Sequence, residues 1–294
     1  MTYASSVFAR LSAMLRPLRE TVLVVFLPSF DGRPGLGWKL SYVAALCALL
    51  AGACNWTDAD QGPGPIGPIG PVDGAESGVP GSGDRTTEVR EVPDFDKLVF
   101  FSEGEVILTQ SATVSLSIEA DDNLHQYLTT SVSDGELTIS TADDIDVAPS
   151  ESMVFRVGVV NLTRIELAGA GAVTVETLDA SDFEVALSGV GDIVIDRLFA
   201  DVVIVDLGGV GTIRLKGEAD QQRVVVSGTG EYDGADLTSR SASVQASGTS
   251  TAIVNATDEL DIVVSELGEV AFYGFPNLAQ EVAGSGTVTS LGAR

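Results

Sequence analysis

The sequence predicts an all-β fold, a parallel β-helix of about 20 residues per coil, and two observations carry that reading. From about residue 165 onward a small residue, glycine, any residue and glycine recur near every 20 positions: Ala168-Gly169-Ala170-Gly171, Ser188-Gly189-Val190-Gly191, Gly208-Gly209-Val210-Gly211 and Ser227-Gly228-Thr229-Gly230. Between these markers aliphatic residues alternate at period two. A fixed period with strands in each unit is the pattern of a solenoid, in which one unit cannot bury its apolar face alone and must stack on the next.

Two alternating stretches are visible in each unit. The first follows the glycines: Val173 and Val175, Ile193 and Ile195, Ile213 and Leu215. The second precedes the next marker: Phe183, Val185 and Leu187; Val203, Val205 and Leu207; Val224 and Val226. Period two means a strand with one buried face. Glycine suits the corners, where tight turns need backbone angles that other residues resist. The marker continues in weakened form at Ser247-Gly248, Leu267-Gly268 and Ala283-Gly284-Ser285-Gly286. About six coils at the strand spacing of about 4.8 Å make a rod roughly 30 Å long. Hairpins of an antiparallel barrel would alternate in the same way; recurrence of one small-Gly marker per unit favours parallel stacking.

Ahead of the repeat, residues 86–160 are rich in short strands, among them Leu98 to Phe101, Val106 to Leu108, Val114 to Ile118 and Val154 to Val157. Gly104 and Asp134-Gly135 are expected to supply turns, and Asp121-Asp122-Asn123-Leu124 to begin a short helical turn through Tyr127. This part is read as less regular coils or hairpins closing one end of the same domain.

The N-terminal quarter has a different character. Residues 38–54 carry a base at Lys39, an apolar run from Val43 to Leu50 and small residues before Cys54, the order of an export signal. The apolar run is shorter than the roughly 20 residues a membrane-spanning helix needs. Ala51-Gly52-Ala53-Cys54 resembles a lipobox, which makes Cys54 the lipidation site; the same tripeptide also fits ordinary signal cleavage, and an uncleaved anchor is the third reading. Residues 55–85 hold Gly-Pro-Ile and Gly-Pro-Val triplets, too few for collagen, and read as a stiff stalk ending in a flexible Gly/Ser segment. The expected organisation is therefore 1–54 extension and signal, 55–85 linker, and 86–294 β-solenoid domain.

Composition bounds the function. Of 42 Asp+Glu and 16 Lys+Arg, residues 55–294 hold 40 acids against 11 bases. Such a field repels phosphate backbones and anionic lipid, so nucleic acid is excluded as a partner. The only cysteines are Cys47 and Cys54, and His125 is the only histidine, which leaves no Cys site downstream and no multi-His metal centre. Asp192 in Gly189-Val190-Gly191-Asp192 resembles one position of a calcium β-roll, yet Ala172, Thr212 and Glu231 stand at its equivalents. Asp143, Asp144 and Asp146 with Glu151, and Asp121 with Asp122, read as solvated loop carboxylates rather than a cation site. His125 beside Asp122 and Tyr127 reads as a packing or surface residue. Tyr232, Phe272, Tyr273 and Phe275 form the best candidate for an adhesive patch, with packing at a terminal cap as the competing role. No catalytic, cofactor-binding or metal-ligating residue is assigned.

With these residues in hand the sequence resembles the bacterial GIN-domain family, the head domain of auto-transporter adhesins. The resemblance rests on VPDFDKLV from Val92 to Val99, GEVILTQS over 104–111, the segment 114–139 and the repeated S-G-x-G corners, and it covers roughly residues 88–291. It implies a right-handed parallel β-helix attached to a signal or lipobox, with no catalytic residues and no cofactors. The function expected is a membrane-tethered, non-enzymatic envelope module, exported to the outer membrane or cell surface, with a surface glycan or envelope protein as partner. A structural envelope protein and a carbohydrate-active β-helix enzyme are the competing readings.

Overall fold

The computed structural model describes residues 78–143 and 145–294. The export signal, Cys54, Asp144 and the first part of the proposed linker lie outside them. The described chain is almost wholly β: β1 (Val79–Pro80), β2 (Arg85–Arg90), β3 (Lys97–Phe100), β4 (Glu103–Gln110), β5 (Ser115–Asp121), β6 (Leu128–Ser133), β7 (Glu136–Thr141), β8 (Val147–Ala148), β9 (Val154–Val159), β10 (Arg164–Leu167), β11 (Ala170–Val175), β12 (Leu178–Leu187), β13 (Val190–Leu207), β14 (Val210–Val226), β15 (Thr229–Ala246), β16 (Thr251–Val264), β17 (Glu269–Tyr273), β18 (Asn277–Val282) and β19 (Thr287–Gly292). The one helical element is a 3₁₀ turn at His125–Tyr127, inside the segment where the sequence placed a short helical turn.

The strand pairing from β10 onward is parallel and advances by one unit at a time. Gly191 pairs with Gly211, Gly211 with Gly230, and Val205 with Val224. An 18-residue strand such as β13 would span about 60 Å if straight, yet Val190 lies beside both Ala170 and Val210. The strand therefore bends within each turn. Register slips between Ile195 and Leu198 mark one bend, the skipped position at Asp201 a second, and the glycine markers the third.

Each turn has three sides, where the sequence showed two. The first side stacks β9, β4, β11, the opening halves of β13 to β16, β17 and β19. The third stacks β7, β3, β10, the end of β12, the closing parts of β13 to β16, and β18. Between them runs a short second side, Leu178–Ala180, Leu198–Ala200, Gly217–Ala219 and Leu237–Ser239 in successive turns. From Gly171 to Gly286 the chain makes about six turns of close to 20 residues.

The interior consists of ladders of aliphatics that meet across the three sides. Val173, Ile193 and Ile213 line one; Ile165, Val185, Val205 and Val224 another; Leu178, Leu198 and Leu237 a third, and all are fully buried. Gly191 and Gly211 show why the corner demands glycine: φ is +143° and +144°, and a Cβ on Gly211 would collide with the carbonyl oxygen of Gly191. The corner ladder thus excludes side chains twice, by backbone angle and by the close approach of the next turn.

Tyr232 occupies the position held by Ile213 and Ile193 one and two turns earlier. The larger ring is accommodated by Ala252 in the next turn, and its hydroxyl donates to Gln222 Oε1 at 3.0 Å. Gln222 Nε2 in turn donates to Ser239 Oγ (2.8 Å) and the Leu237 carbonyl (3.1 Å), so the one polar island in the repeat is internally satisfied. Burial pushes the Tyr232 phenol far up in pKa.

The two ends differ. Between β4 and β10 the chain leaves the stack and returns, placing β7 beside β3 and β9 beside β4 as an additional rung on their far side. That rung is then closed by antiparallel strands, β6 on β7, β5 on β9 and β2 on β5. Leu116, Ile118, Leu124 and Leu128 bury its interior. Asp121, wholly buried, holds the closure: it accepts from Ser150 Oγ (2.6 Å), Ser150 N (2.9 Å) and Gly83 N (2.8 Å). The Ser150 hydroxyl, aided by those backbone donors and Arg85, keeps its carboxyl below the usual Asp range despite burial. Ahead of β2, Val79–Pro80 pair with β8 at this end. At the other end the last rung, β18 and β19, is largely exposed.

Candidate functional site

The second side is where the surface is concave. Ala180, Ala200 and Ala219 succeed one another in register and form a floor of small, partly buried side chains, continued by the backbone of Ser239, whose hydroxyl turns inward to Gln222. One wall carries Asp179, Phe199, Glu218 and Thr238, paired in the same ladder; the other carries Ser181, Asp201, Asp220 and Arg240. A methyl group between two rows of longer side chains leaves a trough, here of about 620 Å³, reaching to Thr257 and Asp258. At Asp179 to Ser181 it meets a second hollow of about 760 Å³ lined by Gln110, Ser111, Asn161 and Thr163. Gln110 ties the two together, accepting from Asp179 N (2.9 Å) and donating to the Asp179 carbonyl (3.0 Å).

The trough is acidic. Asp179, Asp201, Glu218, Asp220 and Asp258 line it against one base, Arg240, which is held at 2.9 Å from Asp220. Phe199 is 44% exposed and offers the one aromatic face. Rungs about 4.8 Å apart repeat the same floor between two walls, so an extended chain lying along the axis meets a wall residue on either side at each step, most of them polar. Neutral polyhydroxylated or cationic chains suit such a surface, and polyanions do not.

The residues singled out from sequence fall elsewhere. Tyr232 and Phe272 belong to the interior, which removes them from the expected adhesive patch: each sits on an inward position of its ladder. Tyr273 is half-buried beneath the Arg294 guanidinium, 5.0 Å from its ring, and Phe275 alone of the four is open to solvent, at 80%. Gly104 is a further correction. It pairs with Gly171 and forms a rung of the corner ladder rather than a turn. Gly135, after Asp134, does make the β6–β7 turn.

His125 lies in the closed end, its Nε2 3.0 Å from the Thr86 hydroxyl and its Nδ1 3.3 Å from Glu88. Asp122 accepts from Ser82 Oγ at 2.5 Å. Asp143 and Asp146 border a hollow that also contains Glu103, whose carboxyl is pushed up by burial and by Asp146, while Glu151 faces Arg85. Among the described residues no group of three or more His, Cys, Asp or Glu is placed to hold a metal ion. Asp192 accepts from Thr212 N in the next turn at 3.1 Å, a local tie between turns.

Sequence reasoning missed the trough, although a signal was present. Ala180, Ala200, Ala219 and Ser239 stand eight or nine positions after Gly171, Gly191, Gly211 and Gly230.

Comparison with known proteins places this architecture. A search of the curated proteins finds no significant match. Among solved structures, a "putative adhesin" from Bacteroides fragilis is 23% identical over 73% of this chain and all of its own, with a TM-score of 0.67. A "putative lipid binding protein" from Parabacteroides distasonis is 21% identical over 72% of this chain and 99% of its own, TM-score 0.62, and a "putative adhesin" from Parabacteroides merdae is 21% identical over 73% and 99%, TM-score 0.55. At such identities the likeness is one of fold. The family model described as "Putative auto-transporter adhesin, head GIN domain" matches residues 94–276, most of the solenoid, and the chain belongs to that family.

Proposed function

We propose that the chain is an exported, membrane-tethered and non-enzymatic β-helical head that works by surface contact, with the second-side trough as its binding face. The observation that carries this reading is the trough itself: a floor of Ala180, Ala200 and Ala219 repeated in register beneath acidic walls. Its partner is an extended neutral or cationic chain, a surface glycan or a segment of an envelope protein. Cys54 is the lipid attachment site, and the Pro/Gly segment after it holds the head away from an outer-membrane or cell-surface leaflet. Family membership supports an extracellular or surface location. Among the described residues no helix is long and apolar enough to cross a membrane.

Three measurements test the proposal. Replacing Phe199 with Ala and Glu218 with Gln, both on the exposed wall, should weaken binding on a glycan array and on basic envelope peptides while leaving the fold intact; undiminished binding would move the site elsewhere. Hydrolysis or cleavage of arrayed glycans by the wild-type chain would sink the non-enzymatic reading. Cys54→Ala should end incorporation of labelled fatty acid and release the protein from the membrane fraction.

A further inference from the structure

We propose that the open end of the solenoid, β18 with β19, is a docking surface for a second copy of this chain, joined tail to tail. Leu278 continues the interior ladder of Leu260, Val282 that of Val264, and Val288 that of Val270. One rung earlier these residues are buried; in the last rung Leu278 is 42% and Val282 45% exposed. Among the described residues nothing covers the inward positions of this rung. Leu291 and Phe275 add 43% and 80% exposure at the same end. β18 pairs with β16 and β19 with β17, and the far edge of each pairs with no strand among the described residues. Exposed, weakly charged strand edges of this kind are templates for pairing with another chain.

Charge selects the partner. Residues 164–273 contain nineteen acids and six bases, whereas residues 274–294 contain one of each, Glu281 and Arg294. Two copies repel over most of their surfaces, and the last rung is the place where that repulsion is absent. Geometry selects the mode. The opposite end is closed by β2, β5 and β6, which provide no matching parallel edge, so head-to-tail growth into a filament is blocked. A two-fold arrangement, with the edge of β18 meeting the same edge of its mate antiparallel, satisfies the free ladder and closes the assembly at two copies. The first described residues, Gly78 to Pro80, pair at the closed end. A tail-to-tail pair thus sets Val79 and Pro80 of the two copies at opposite extremes of the assembly, as two heads reaching from facing surfaces would. Bridging of two surfaces rests on the tethered-contact reading above; the dimer does not.

Sedimentation equilibrium of the full chain should show a concentration-dependent dimer, and beads carrying the chain should clump with one another. Leu278→Glu places like charges across the two-fold and should weaken dimerisation at least about tenfold. Because Leu278 is exposed, the variant should keep the wild-type circular dichroism and melting curve. Phe275→Ser, at a still more exposed position, should weaken association without touching the interior. Val89→Glu, on exposed β2 of the closed end, should change nothing. A monomer at all concentrations, or a dimer unaffected by Leu278→Glu and Phe275→Ser, overturns the proposal. Loss of the dimer in Val89→Glu overturns it too, by placing the contact at the wrong end. The Phe199→Ala/Glu218→Gln protein should still dimerise, so failure of the trough and failure of the tail contact read out separately.

Discussion

The turns between Gly171 and Val226 and the closing excursion between β4 and β10 use the same strands to opposite effect. In the repeat every position is answered by its equivalent one turn away, Val185 by Val205 and Val205 by Val224, and the chain pairs with itself at a separation of about 20. In the excursion pairing is largely antiparallel or distant, as when Glu105 meets Val154 or Arg90 meets Leu116. The repeat is held by sameness, above all by the glycine corner. The closed end is held by individual side chains, Asp121 on Ser150 and Gly83, and the edge-on pair Phe100 and Phe155 at 5.0 Å. Damage should accordingly spread in the first and stay local in the second.

The largest effect is expected at the corner. Gly211→Val combines a forbidden φ with a collision against the Gly191 carbonyl, and it should destabilise by about 3 kcal/mol or more, or prevent folding. Gly208→Ala, whose new methyl would lie 3.7 Å from Ser227 Oγ, should be tolerated, and urea melts of the two variants would measure the contrast. A Gly211→Val protein as stable as wild type would mean that the turns are not in close contact there.

A smaller and local loss is expected from Asp121→Asn. The exchange weakens the hold on the Ser150 and Gly83 donors and should cost about 1–3 kcal/mol. Hydrogen exchange should rise in β2 and β5 before the turns beyond β11 respond. Since the folded-state carboxyl titrates below its unfolded value, its stabilisation is complete above about pH 4 and disappears as the pH falls through the lowered folded value. The Asn variant should lose that acid sensitivity. The least effect is expected from Arg240→Ala, which breaks an exposed pair with Asp220 and should shift stability by under about 1 kcal/mol. It should instead sharpen the preference of the trough for cationic chains, readable as a steeper salt dependence of binding.

The same contrast explains what could be read from residues alone. The stack was legible because Gly169-x-Gly171 and its successors recur with alternating aliphatics around them. Its second side was not, because Leu178, Leu198 and Leu237 are single inward residues in segments too short to alternate, and Gly217 interrupts even that column. Gly104 escaped the period because 67 residues of excursion separate it from Gly171, its neighbour in space. Tyr232 was legible and misread: it follows Gly230 by two, as Ile193 follows Gly191, and that spacing alone assigns it inward. The closed end gave no periodic signal at all, since Asp121, Ser150 and Gly83 are brought together by contacts spanning 29 and 38 positions.

The excursion also fixes where this architecture can change size. It lies between the first and second rungs of the corner ladder, so the closing strands are committed before the uniform turns begin. Inserting or deleting one 20-residue unit beyond β11 would leave that closure and the final rung intact. Such a change would lengthen or shorten the trough by one strand spacing, about 4.8 Å, at constant cross-section. The solenoid behaves as a ruler with one sealed butt, and relatives built this way would differ in reach along the axis rather than in girth.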